Sequence, residues 1–432
     1  MTEVTAQSES SALFDRAERV IPGGVNSPVR AMGAVGAEPI FIERGRGAEI
    51  FDVDGRSYLD YVSSWGPLIL GHAHPAVVEA VTKAAARGTS YGAPTEAEVL
   101  LAEAVVERVP SIEMVRLVSS GTEAVMTALR LARAATGRDL VVKFAGGYHG
   151  HVDGMLAESG SGLATQGIPA SPGVTRAQAA GTIVVAWNDF DGFGATMEQR
   201  GGEIAAVIAE PVPANMGVVP AREGFLRHLR ELSRRAGVLL VLDEVITGFR
   251  VARGGAQEQL GVEPDLTVLG KVLGGGLPLA AVGGPVTMME SLAPVGEVYQ
   301  AGTLSGNPLA TAAGLATLGL LDEQAYARLG ETTARLAAGL ADRAAVAGVP
   351  VQVQSRCGLL TVFFTAEPVE TYEDAKRADR DAYARFFRAM LERGVYLPPS
   401  PFEAWFPGLA HSHADVDRTL EAAAAAFATL GE

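Results

Sequence analysis

Apolar and polar residues follow two rhythms along the chain, and the change between them divides it. Over residues 39–62, PIFIERGRGAEIFDVDGRSYLDYV, apolar positions recur every second residue around Gly45-Arg46-Gly47 and Asp54-Gly55. That pattern predicts antiparallel hairpins. A short helix over 11–21 precedes them, stopped by Pro22-Gly23-Gly24. From Pro75 onward, helical spacing alternates with short continuous apolar runs. The spacing predicts helices over 75–87, 96–108, 122–136, 190–200 and 223–236, and strands over 114–118, 139–144, 182–186, 204–209, 238–242 and 266–269. Such alternation specifies an α/β fold with a mostly parallel central sheet. A helix over 307–321 leads to helices over 324–347, 373–394 and 415–430, with strands over 356–364 and 394–397. The expected organisation is an N-terminal segment of a small lobe (1–74), a large domain (75–322) and a C-terminal α+β small domain (323–432).

The runs end in chemistry. Five consecutive apolar residues, 238–242, have the length of a strand buried on both faces and stop at Asp243. Ligands of open α/β sheets bind beyond the carboxyl ends of the strands, so Asp243 enters a crevice partly desolvated and needs a cation. A protonated pyridine nitrogen would serve. Lys271 stands 28 residues later, after a second apolar run and before Gly274-Gly275-Gly276. Each residue alone reads as an ordinary surface charge; together with their neighbours they read differently.

Strand 114–118 runs into Ser119-Ser120-Gly121-Thr122 at the start of a helix. Free N–H groups and the helix dipole suit a phosphate there, although simple capping with Glu123 explains the turn equally well. The turn is neither a Walker loop nor a GxGxxG turn, which disfavours a nucleoside triphosphate or a dinucleotide. Tyr148 follows the next strand and offers a ring for stacking. Glu210 and Asn215 follow strand 204–209, and Asn215 can donate to a cofactor hydroxyl. One flat, phosphorylated, pyridine-containing cofactor accounts for all five strand ends. The Gly/Ser/Ala/Pro-rich stretch 153–181 reads as a long loop of the lid type.

Composition narrows the partners. With 35 basic and 50 acidic residues the net charge is −15, which argues against nucleic acid or an anionic membrane as the main ligand. The single Cys357 excludes an internal disulfide, the N-terminus lacks the basic and apolar regions of a secretory signal, and no apolar run approaches the ~20 residues of a membrane span. A cytoplasmic protein is the expectation. Six of the seven histidines form His-x-His pairs (His72/His74, His149/His151, His411/His413), in turns without a standard set of further ligands, so no metal is assigned.

DEVITGFR, the GKVLGGGLP lysine turn, SSGTEA, YHGH and AGTLSGNP together resemble the class-III aminotransferase branch of the fold-type I pyridoxal-phosphate enzymes, over nearly the whole chain. Within that branch PGGVNSPVRAMG, SSWGPLILGHAHP, GSGLATQGIPASPGV, RVARGGAQE and PSPFEA resemble its aminomutases, which move an amino group within one small substrate. The resemblance implies pyridoxal 5′-phosphate as cofactor, attached covalently at Lys271, which also carries protons. Asp243 would hold the ring nitrogen protonated, Tyr148 stack on one ring face and Val245 cover the other. Ser120, Gly121 and Thr122 would bind phosphate, with Thr303 of a partner subunit, so a homodimer is implied; His149, Glu210 and Asn215 complete the cofactor set. Ser27 and Arg30 would hold the substrate carboxylate near Trp65, Ser161 and Glu403. The reaction implied passes through a diamine intermediate and needs no second keto acid. Ala214 and Trp405 stand where resembling sequences commonly have glycine, and each is expected to narrow the pocket. The alternatives are an ω-aminotransferase of the same family, which requires a keto-acid acceptor, and a noncatalytic cofactor-binding protein.

Overall fold

The computed structural model describes residues 8–158 and 168–431. Strands β1 (Ile42–Arg46), β2 (Glu49–Asp52) and β3 (Ser57–Asp60) pair antiparallel, as the alternation at 39–62 predicts. The chain then forms β4 (Met114–Val118), β5 (Leu140–Phe144), a two-residue pair β6 (Ala157–Glu158) and β7 (Ile168–Pro169), β8 (Thr182–Val185), β9 (Ile204–Ala209), β10 (Leu239–Glu244), β11 (Leu266–Leu269) and β12 (Ala280–Gly284). Last come β13 (Gln352–Arg356), β14 (Leu359–Phe363) and β15 (Val395–Tyr396). Seven strands make the central sheet in the order β4-β12-β11-β10-β9-β5-β8, with β12 antiparallel to both neighbours and the remaining pairs parallel. Strand β15 lies parallel beside β3, so the two ends of the chain share a second, four-stranded sheet.

Three expectations are corrected. Strand β12 was not predicted: its sequence, AAVGG, is short, small and glycine-rich, a composition with weak strand preference. The single strand expected over 356–364 is the second arm of a hairpin whose first arm is β13. The helix expected over 373–394 is two helices, Tyr372–Arg377 and Arg380–Glu392. The extended Ala378 ends the first, and Asp379 caps the second, accepting the Ala382 N–H at 2.9 Å, an N-cap contact that competes with helix continuation.

The period-two geometry of β10 decides what it offers the site. Leu240 and Leu242 point to one face, packing with Phe144, Trp187, Phe193, Phe225 and Leu229. Val241 points to the other, packing with Val125, Ala128 and Leu129 of the helix Gly121–Thr136. By the same alternation Asp243 falls on the face under that helix. In β9, Ala206 and Ile208 share this face, which sends Glu210 there too. Among the described residues no helix is long and apolar enough to cross a membrane.

The aromatic layer on the opposite face holds the sheet flat against helix Phe225–Ala236. Phe225 is fully buried and meets Phe144, Trp187 and Phe190 edge-on at 5.1 to 5.8 Å. Phe225→Ala is expected to cost about 3 to 5 kcal/mol, read as a lower urea midpoint; a midpoint within experimental error of wild type would contradict this packing.

Candidate active site

At the carboxyl ends of the sheet a cavity of about 380 Å³ opens. Its wall includes Ser120, Gly121, Thr122, Tyr148, Glu210, Asn215, Asp243, Val245 and Lys271, so nine residues singled out from sequence converge on one space. They come from the ends of β4, β5, β9, β10 and β11. Ser119 and Gly276, both in turns singled out from sequence, with Pro67, Val125, Gly150, Ile246, Leu277, Pro278 and Leu279, complete the wall. Sequence reasoning missed the latter seven because apolar and glycine wall residues carry no signal of their own.

Asp243 is 5% exposed. Its Oδ1 accepts the Val245 N–H at 3.1 Å, and its Oδ2 lies 2.7 Å from His149 Nδ1. The buried His149 thus holds the carboxylate rather than lining the cavity. Glu210, equally buried, accepts from the Tyr148 N–H (2.9 Å), the Ala214 N–H (3.1 Å) and Asn215 Nδ2 (2.9 Å). Burial pushes the Glu210 carboxyl up, and neighbouring Asp243 adds to that. Asn215 therefore spends a donor on Glu210, a partner the sequence did not suggest.

Lys271 follows the extended Gly270 and itself adopts φ 46°, a left-handed backbone that strains a side-chain-bearing residue. Burial pushes its ammonium down, against the pull of the Glu403, Asp243 and Glu210 carboxylates, while Arg250 pushes the same way as burial. A lysine so placed is poised to be a neutral, nucleophilic amine. Val245 packs over the backbone beside it: a Cβ added to Gly121 or Gly270 would meet Val245 methyls at 3.1 and 3.3 Å respectively. Tyr148 presents a half-exposed ring on the cavity wall.

The turn before helix Gly121–Thr136 caps the helix and leaves N–H groups facing the cavity. Ser120 Oγ accepts the Glu123 N–H at 3.3 Å and the Glu123 carboxylate accepts the Ser119 N–H at 2.7 Å. Within the described residues nothing occupies the N–H groups of Gly121 and Thr122. They lie at the positive end of a 16-residue helix, on the cavity wall.

The residues expected to bind substrate are placed less directly. Ser27 caps a tight helical turn, Pro28–Ala31, that carries the exposed Arg30, and neither lines the cavity. Trp65 also stands off the wall, although its neighbour Pro67 is part of it. Glu403 is placed close enough for its charge to act on Lys271 and Tyr148. Ser161 lies outside the described residues. Thr303 sits in a separate exposed concavity with Tyr91, Gly302 and Asn307. The expectation that Ala214 and Trp405 narrow the pocket is corrected: neither lines it, and both are fully buried. Trp405 stacks on Phe386 at 6.4 Å in the C-terminal lobe, where the large ring gains more by burial than it could at a polar wall.

The His-x-His pairs serve separate tasks. His72 pairs with Asp60 at 2.6 Å, His149 with Asp243, and His411 accepts the Gly408 N–H at 3.0 Å. The stretch 153–181 is not structureless in its described arms: Lys143 Nζ donates to the Met155 carbonyl at 2.9 Å and Gln178 to Asp153 at 2.7 Å. Sequence reasoning missed Lys143.

A parallel sheet that gathers a buried acid, a buried lysine and an anion-holding helix end at one edge defines an α/β enzyme for a phosphorylated cofactor. The comparisons agree. Residues 32–427 match the family described as aminotransferase class-III. A relative from Syntrophus aciditrophicus, glutamate-1-semialdehyde 2,1-aminomutase, is 56% identical over 98% of this chain and 99% of its own. Among solved structures, an omega-transaminase from Sphaerobacter thermophilus superposes with a TM-score of 0.92 at 36% identity, covering 98% of each chain. A glutamate-1-semialdehyde-aminomutase from Pseudomonas aeruginosa, solved with PMP, superposes at 0.87 with 29% identity over 96% and 93% of the two chains. The chain belongs to the class-III aminotransferases.

Burial pushes the Glu403 carboxyl from 4.5 up to about 7. Between those values the folded protein retains a proton that the unfolded chain releases, so this group's contribution is full below pH 4.5 and is lost as pH rises towards 7. In the cofactor-free protein, Glu403→Gln is therefore expected to gain in Tm relative to wild type between pH 5 and 7.5. A difference independent of pH would show that Glu403 is not so perturbed.

Proposed function

We infer that the protein is an isomerase that converts glutamate-1-semialdehyde to 5-aminolevulinate, a tetrapyrrole precursor, with pyridoxal 5′-phosphate as its cofactor. Exchanging the amino group at carbon 2 with the aldehyde function at carbon 1 leaves an isomer, so no outside amino donor or acceptor is consumed. The observation that carries the reading is the convergence of Asp243, Lys271, Val245, Tyr148 and the open N–H groups of Gly121 and Thr122 on one cavity of about 380 Å³. The cavity's size and donors suit a phosphorylated pyridine. The fold alone does not separate mutase from ω-transaminase, since both superpose closely. The 56% identity across essentially all of both chains favours the mutase.

When bound, pyridoxal phosphate supplies an electron sink for cleaving the bond to hydrogen next to the transferred nitrogen. The chain's residues supply the rest. In our reading Gly121 and Thr122 would hold the phosphate, and Asp243, aimed by His149, would hold a proton on the ring nitrogen. Val245 and Tyr148 would cover the two ring faces. Lys271 would anchor the cofactor and move protons within the site, its burial favouring the neutral amine. Glu210 fixes Asn215 on the cavity wall. Ser27 and Arg30 would receive the substrate carboxylate, with Trp65 and Glu403 on the same side; Arg30 forms no ion pair with any described residue and so has its charge to spare. The diamine formed midway must stay in the site for the second transfer.

A second copy of the chain belongs to this reading. Thr303 lies outside its own cavity, and exposed Tyr91, Tyr299 and Leu304 surround that surface, which supports a homodimer in which each Thr303 serves the partner's phosphate. The organisation into 1–74 plus 323–432 as one lobe and 75–322 as the other is supported by the β3–β15 pairing.

Purified protein given glutamate-1-semialdehyde alone is expected to form 5-aminolevulinate; formation only after adding a keto acid would establish the transaminase instead. Lys271→Ala is expected to abolish turnover and the visible absorbance of the lysine-linked cofactor. Loss of Arg30 in Arg30→Ala should weaken substrate binding by about 2 kcal/mol or more, the size of a charge-assisted pair, seen as a raised KM; an unchanged kcat/KM would remove Arg30 from the site.

A further inference from the structure

Arg250, seven residues after Asp243, has 0% exposure and faces no carboxylate within ion-pair distance among the described residues. Its two terminal nitrogens are taken by backbone carbonyls, while its buried Nε has no partner among the described residues. Nη1 donates to Gly358 at 2.9 Å and to Pro407 at 3.1 Å, and Nη2 donates to Gly66 at 2.5 Å. Its guanidinium carbon lies 5.2 Å from the centre of the Phe406 ring. The three acceptors come from the N-terminal segment, the β13–β14 turn and the C-terminal stretch, which also meet in the core through Tyr61, Leu360 and Trp405.

The surroundings are shaped to this contact. Gly358 has φ 71°, and a Cβ there would stand 3.1 Å from Arg250 Nη1. Gly66 has φ 110°, and a Cβ there would stand 2.9 Å from the Phe406 ring and 3.5 Å from Lys271 Cδ. Phe249 takes φ 56° immediately before Arg250, and its carbonyl accepts from Tyr326 Oη at 2.9 Å. Strain at a bulky residue persists only where neighbours impose it. Burying a cation without a carboxylate is expensive, and an apolar side chain of similar volume would commonly be as stable or more so. Stability is therefore a poor reason for an arginine here, whereas a planar fork reaching three carbonyls at once is something no apolar side chain and no lysine reproduces.

We propose that Arg250 is a positioning residue that ties the segments 61–67 and 403–407 to the end of β10, holding Trp65 and Glu403 in fixed register with Asp243 and Lys271. The two segments are already bonded to each other: the Phe406 N–H donates to the Tyr61 carbonyl at 2.7 Å, and Ser63 Oγ donates to the Phe406 carbonyl at 3.1 Å. Arg250 joins that pair to the large sheet through a turn anchored on β10, where the Gly248 N–H meets the Glu244 carbonyl at 2.8 Å. Loss of the fork frees the substrate-side wall while the cofactor-side strand ends stay in the sheet. The proposal rests on the assignment of Trp65 and Glu403 to the substrate side.

The test uses the holoenzyme with Arg250→Met, which keeps volume and removes the charge, and Arg250→Lys, which keeps charge and removes the fork. Both are expected to retain cofactor absorbance while KM for glutamate-1-semialdehyde rises about tenfold or more, with a smaller loss in kcat and Lys between wild type and Met. Amide exchange should accelerate in 61–68 and 403–408 and stay unchanged in 121–136 and 239–244. An unchanged KM with a lowered Tm, exchange rising evenly over the chain, or failure of both variants to fold would each overturn the proposal, the last by making Arg250 a folding residue. Wild-type protein that does not turn over this substrate would overturn the proposed function instead, and the exchange pattern would still decide the role of Arg250.

Discussion

Two carboxylates buried side by side set the terms for the rest of the molecule. Asp243 and Glu210 leave adjacent parallel strands on the same face and both lie within the protein. Such a pair repels itself and loses hydration, so it persists only with donors and cations arranged around it. The chain divides the work unequally. Glu210 takes two backbone N–H groups and an amide and becomes a scaffold for Asn215 and for the loop of Tyr148. Asp243 receives one N–H and one histidine, both on its protein side. It remains the carboxylate with something left to give. Lys271, pushed down by burial but drawn by both acids and Glu403, supplies the nearby nitrogen, and the missing charge is the one a protonated pyridine ring would supply.

That division explains what the sequence could show. The cofactor-side residues follow short, mostly apolar strand runs, clearest in β9 and β10, where a continuous apolar run stops at a carboxylate, and those stops are visible in one dimension. β4, β9, β10 and β11 were accordingly placed to within a residue or two, with Asp243 and Lys271 facing one crevice. What failed was set by contacts distant in sequence. Strand β12 has no strand-like composition and exists because two edges flank it. Trp405, read from its place after FEA as a wall of the pocket, turns away into an aromatic stack with Phe386 that no local pattern announces. His149 was identified by resemblance, but its task of aiming Asp243 follows only from 2.7 Å of geometry.

The substrate side was the least legible, for a structural reason. Ser27, Arg30, Trp65 and Glu403, proposed for the substrate side, lie in turns and loops near the two ends of the chain, ends that the β3–β15 pairing and the Leu360–Trp405 bridge tie together. Their positions depend on how one lobe sits against the other. Arg250 shows how that docking is made: a side chain rooted seven residues past the cofactor's acid ends on carbonyls of both terminal segments.

It follows that within this architecture the chemistry and its specificity are separable in kind. The sheet fixes the acid, the lysine and the helix end through strand register, which tolerates little change because a one-residue slip would turn Asp243 to the opposite face. The terminal loops rest on turns and single hydrogen bonds, where substitution moves a substrate group without disturbing the sheet. Family members can then share nearly one backbone and still differ in whether an amino group returns to the same molecule or passes to another. On the proposed reading, that difference lies in the loops and in whatever ties them down.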